Sequence, residues 1–209
     1  MQMRLTTWDK STMCIVEENP FEVSEFALES LVGNSLDKSY SLEFDIEESL
    51  KLCAKLGISI SAKFDYATIQ PHHFVNSFPY LVHTNRELTL MLAGTKPLAA
   101  FVESFANDTK LFAEDVFDNY VTQGRFVKRE YVQLEFRGDP RRLRRILYAR
   151  TGEEWRIDAF ILLWHTAEKS GFSELFERLE GSLLGYEEWQ NDAFIEIRRM
   201  RNLKLHTNS

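Results

Sequence analysis

His83, Asn85 and Arg86 lie within four residues of one another in "PYLVHTNRELTLMLAGTKPLAAF". An imidazole, an amide and a guanidinium so close together could bind a small anion. If Thr84 and Glu87 form a capping box, they would stand around the positive end of a helix over 84–93, with Gly94 as its stop. Strands at 79–83 and 97–103 would then be joined by a crossover just long enough for parallel pairing. The capping box argues against an anion, because Glu87 brings a carboxylate to the same amides. No glycine-rich phosphate loop precedes the helix.

The second cluster of chemical groups is "DPRRLRRILYAR". Asp139 and Pro140 read as a cap and first residue, predicting a helix over 140–150. On that helix Arg141, Arg144, Arg145 and Tyr148 share a face, with Arg142 at its edge and Leu143, Ile146 and Leu147 opposite. Such a row suits phosphates or an acidic partner. Cations crowding the first turns oppose the helix dipole, so the row calls for acidic company, from this chain or another.

Three further groups complete the set. In "EEWRIDAFILLWHTAEK" a polar strip of Asp158, His165 and Lys169 runs along an otherwise apolar helix, and His165 is its candidate acid–base group. Arg156 falls on an apolar arc there and would require a carboxylate partner if buried. In "GSLLGYEEWQNDAF" Tyr186 and Trp189 share a side of a helix and could form a binding surface. His72, His73, His83 and Asp65 fall within nineteen residues, but neighbouring histidines on a strand point apart and the spacing fits no zinc motif, so no metal is expected. Neither a G-x-S-x-G turn nor a cofactor fingerprint is present, and no cofactor is expected.

These residues need a scaffold, and hydropathy patterning supplies one. Strict alternation marks strands at 41–46, 58–64 and 131–136, each with one buried face, favouring a mixed or antiparallel sheet. Helices are predicted at 47–56, closed by Gly57, and at 113–123, closed by Gly124. After 139 the pattern becomes helical throughout, over 140–150, 153–169, 173–180 and 186–201. The expected fold is α+β, with a sheet-containing part over 1–138 and a helical C-terminal part over 139–209 packed on it as one integrated domain.

The 209 residues include 16 Phe, 7 Tyr and 4 Trp, enough for a substantial core. No apolar run reaches the ~20 residues of a membrane span, and the opening "MQMRLTTWDKST" lacks a leader's apolar stretch. Cys14 and Cys53 are too few for a disulfide framework, and Cys53 sits on an apolar helix position. A soluble, cytoplasmic, acidic protein is expected. The net charge of −7 is uneven: residues 1–124 carry 9 Lys/Arg against 18 Asp/Glu, and 125–209 carry 16 against 14. With charge segregation and no catalytic motif, the leading expectation is a non-catalytic protein that binds another macromolecule, an accessory or immunity-like role with a protein partner. The alternative is an enzyme or sensor for a small anionic metabolite at His83–Arg86. A weaker one is nucleic-acid binding through Arg141–Arg145.

Overall fold

A computed structural model describes residues 2–24, 27–28, 30, 42–71, 78–104, 112–133, 143–171 and 173–207. The chain divides into two compact units, Met1–Ser77 and Phe78–Ser209. Among the described residues it forms two antiparallel sheets, with helices mostly in the C-terminal part, an α+β fold. No helix among the described residues is long and apolar enough to cross a membrane.

In the first unit, strands β1 (Gln2–Asp9), β2 (Cys14–Glu22), β3 (Leu42–Asp45) and β4 (Tyr66–Pro71) form a sheet ordered β2-β1-β4-β3. Met3 and Leu5 of β1 meet Ala67 and Ile69 of β4 in the core. Helix α1 (Ile46–Leu56) covers that face with Leu52 and Cys53. Its start is a complete capping box: the Asp45 carboxylate accepts from the Glu48 amide at 2.8 Å and Glu48 reaches back to the Asp45 amide. Gly57, at φ 67°, ends it in the left-handed conformation that glycine adopts without strain.

The strand expected at 58–64 is not one. Ile58, Ile60 and Phe64 do pack against the core, so the alternation marks a real buried face. The backbone there joins no ladder; Ser61 instead donates from its amide and hydroxyl to Glu17 Oε2, each at 3.2 Å. Of the metal candidates, His72 and His73 lie outside the described residues, and Asp65 accepts from the Lys10 amide at 2.7 Å.

In the second unit, β5 (Leu98–Ser104), β6 (Phe126–Gln133) and β7 (Leu143–Arg150) form a sheet ordered β5-β7-β6. The helices are α2 (Glu87–Ala93), α3 (Glu114–Thr122), α4 (Trp155–Ser170), α5 (Glu174–Leu183) and α6 (Glu188–Thr207). The helix predicted over 140–150 is therefore the central strand β7 from Leu143 onward. The reason is double coverage. Leu147 and Ala149 pack against Ile157 and Phe160 of α4, while Tyr148 meets Phe117 of α3 on the opposite face. A strand buried on both sides shows a continuous run rather than alternation, and "LRRILYAR" then fits a helical stripe equally well.

The segment 79–83 is likewise not a strand, so the parallel crossover expected between it and 97–103 does not form; β5 pairs antiparallel with β7. Nor does Thr84 cap α2. Asn85 turns through φ 60°, Arg86 holds the cap position without a side-chain cap bond, and the helix begins at Glu87. Burial raises the Glu87 carboxyl, and the backbone at the start of the helix works against that rise.

Candidate functional site

The C-terminal end of α5 gathers most of the second unit's unusual chemistry. Gly185, at φ 93°, closes the helix, with Gly185 N donating to Ser182 O at 3.2 Å and Tyr186 N to Gly181 O at 2.9 Å. This paired closure needs the left-handed residue that glycine supplies. It also needs glycine for space, since a Cβ there would lie 2.4 Å from Pro97 Cδ. The segment 95–97 is thus pressed against the α5–α6 turn, and Lys96 follows it inward.

Lys96 is 3% exposed, a rare place for a lysine. Its ammonium donates to the Leu184 carbonyl at 3.4 Å and stands 3.4 Å from His83 Nδ1. An ammonium can only donate, so Nδ1 accepts from it only while it carries no proton. Nearby, Arg156 Nη1 donates to the carbonyls of Ser182 and Leu183 at 2.9 and 3.3 Å, and its Nε pairs with Glu153, the carboxylate partner the sequence called for. Two cations thus meet the last carbonyls of α5, where the helix dipole favours positive charge. This gives the buried lysine a structural reason.

His83 and Tyr186 build the next layer. Their rings stack at 4.0 Å and 12°, and the His83 amide donates to the Tyr186 hydroxyl at 2.9 Å. Burial, then the Lys96 charge, holds the imidazole down to about 4. Burial pulls Lys96 down to about 8 against the opposing pull of Glu87, and burial raises the Glu87 carboxyl. The low dielectric thus disfavours each charged form, and the countercharge only partly restores it.

An aromatic surface extends outward from this layer. Tyr80 meets Tyr186 edge-on at 5.8 Å and Trp189 edge-on at 5.6 Å, and Phe78 links Tyr80 to Phe194. Burial, then Tyr186, pushes the Tyr80 hydroxyl up to about 12. Trp189 remains 49% exposed although its indole N–H donates to Glu187 Oε2 at 2.9 Å, and Leu81, next to Tyr80 in the chain, is 52% exposed. The structure therefore brings together His83, Tyr186 and Trp189 of the residues singled out in the sequence. Arg86 borders them, donating from Nη1 to the Val82 carbonyl at 3.4 Å, while Asn85 is an exposed turn residue. Lys96, Tyr80 and Glu187 are members the sequence did not reveal. A lysine between Gly94 and Pro97 reads as a solvated turn, whereas this one is buried among His83, the Leu184 carbonyl and the Tyr186 ring.

The remaining candidates lie elsewhere in the unit. Arg144 and Arg145 project from opposite faces of β7. Arg144 pairs with Glu114 Oε1 at 2.6 Å, with Glu103 at 3.4 Å and with Glu130, so its acidic company is the chain's own. Arg145 is 4% exposed, its guanidinium 4.1 Å over the Trp164 ring. His165 is exposed on α4, 3.4 Å from Glu168 and 6.0 Å between ring centres from Tyr131; Asp158 pairs with Arg129. Arg141 lies outside the described residues. No group of three or more His, Cys, Asp and Glu suited to a metal occurs among the described residues. No protein family, curated protein or solved structure matches the chain.

Proposed function

We propose that this chain is a non-catalytic binding protein whose second unit receives a protein partner on the Tyr80–Trp189 surface. The observation that carries this reading is Trp189, half exposed yet held in one orientation by Tyr80 and Glu187. Interface energy concentrates in tryptophan and tyrosine side chains, which bury large areas at low entropic cost when already ordered. Behind them, the hydrogen-bonding groups of His83, Lys96 and Tyr186 are engaged with one another and with the end of α5, which suits a rigid support for a surface. The two arginines expected to face phosphates are engaged too, Arg144 in ion pairs and Arg145 under Trp164.

The test is a Trp189→Ala variant of the full chain, assayed for thermal stability and for capture of protein from native lysate. Loss of a specific captured protein with the melting temperature preserved is the expected result. An unchanged capture profile overturns the assignment of this surface.

A further inference from the structure

Lys96 and His83 face each other in a way that tolerates only one positive charge. Nζ lies 3.4 Å from Nδ1, both side chains are buried, and the acceptor role of Nδ1 is available only while the ring is neutral. Protonating the ring would turn Nδ1 into a donor aimed at another donor and place two cations in contact. The His83 ring is also the stacking platform of Tyr186, whose hydroxyl the His83 amide holds, and Tyr186 in turn supports Tyr80 and Trp189.

We propose that the Lys96–His83 contact is an acid-sensitive latch: when His83 takes up a proton the contact opens, and the aromatic surface built on it loosens while the rest of the unit stays folded. This goes beyond partner binding and holds whether or not a protein docks there. The groups facing the pair are few. Lys96 comes from the loop before β5, Glu87 and Arg86 from α2 and its start, Tyr186 from the α5–α6 turn, and the Leu184 carbonyl from the end of α5. Burial opposes a charge on His83 most, then Lys96 and to a smaller extent Arg86, while a hydrogen bond to the Leu184 carbonyl favours it. Glu87 works in the same direction as His83 on acidification: its carboxyl is raised by burial, and as it protonates Lys96 loses its countercharge. The hydroxyls of Tyr186 and Tyr80 are raised by burial and stay neutral throughout. The latch is closed at neutral pH and opens in acid, because the folded environment holds His83 well below an ordinary imidazole.

The experiment is hydroxyl-radical footprinting of the full chain from pH 7 to pH 4, read by mass spectrometry at Tyr80, Tyr186 and Trp189, with far-ultraviolet circular dichroism on the same samples. A severalfold rise in labelling at these residues, with unchanged helix signal, is expected in the wild type and in Glu87→Gln. It is expected to vanish in His83→Gln, whose amide oxygen accepts from Lys96 without titrating. Flat labelling, an equal rise in His83→Gln, or a rise accompanied by loss of helix would overturn the latch. Should His83→Gln fail to fold, proton resonances of the His83 ring in the wild type decide: a ring neutral at pH 6 supports the proposal, and a ring half protonated near pH 6.5 overturns it.

Discussion

Replacing Lys96 by methionine removes the buried charge while keeping a flexible chain of similar length, and its effect on stability should depend on pH in a defined way. Lys96 is pulled from 10.5 to about 8, chiefly by burial. One unit corresponds to ~1.4 kcal/mol, so holding the ammonium in place at neutral pH opposes folding by about 3 kcal/mol. Because the folded value lies below the unfolded one, the unfolded chain binds more protons between pH 8 and 10.5, and this contribution to stability rises with pH across that window. Lys96→Met lacks it. The variant also loses the Lys96 contacts to the Leu184 carbonyl and His83 Nδ1, an offset that does not change with pH across this window. The difference in unfolding free energy, variant minus wild type, should therefore fall by about 2 kcal/mol between pH 8 and pH 10. Urea unfolding of both proteins at the two pH values measures it, and the comparison cancels every other alkaline titration they share. A difference that does not move with pH would refute the placement of a charged Lys96 in the core of the unit.

Two other perturbations follow from the same structure. Glu114, held down to about 2 first by Arg144 and then by Lys128, contributes stability that is present above about pH 4.5 and lost as pH falls towards 2; Glu114→Gln should destabilise by about 1–3 kcal/mol at pH 7 and by progressively less below pH 4, as urea titrations at both pH values would record. Asp45→Ala should lower stability by about 0.5–2 kcal/mol through loss of the α1 cap, whereas Thr84→Ala should stay within about 0.5 kcal/mol; the reverse order in chemical denaturation would restore Thr84 as a cap.

How far the sequence revealed this molecule depended on whether the signal was local. Helices closed by glycine were legible: α1 ends at Gly57 as read, and the strand at 42–45 and the long helices α4 to α6 lie where periodicity put them. Strands β1 and β2 went unread, although "MRLTTWD" alternates Met3 and Leu5 with Arg4 and Thr6. The alternation at 58–64 identified a buried face but could not say that the segment would bond to Glu17 rather than to a strand. β7 was lost to helix because burial on both faces erases the period of two. In the site, Tyr186 and Trp189 stood out as neighbouring aromatics, although Tyr186 lies in the turn before α6 and only Trp189 is on the helix. Lys96 did not, because its neighbours Leu184 and Gly185 lie almost ninety residues away in the chain, and no local pattern encodes that approach.

Docking of a protein on the Tyr80–Trp189 surface is proposed above on the strength of the ordered, half-exposed Trp189. Its most direct test places a photo-crosslinking amino acid at position 189 of the full chain and, for comparison, at Lys169, an exposed residue of α4. After irradiation in native lysate, adducts are identified by mass spectrometry. If a protein docks there, one predominant protein adduct is expected from position 189, absent from position 169 and suppressed by an excess of unlabelled wild-type chain but not of the Trp189→Ala variant. Adducts of equal identity and yield from both positions, or none from position 189, would contradict it.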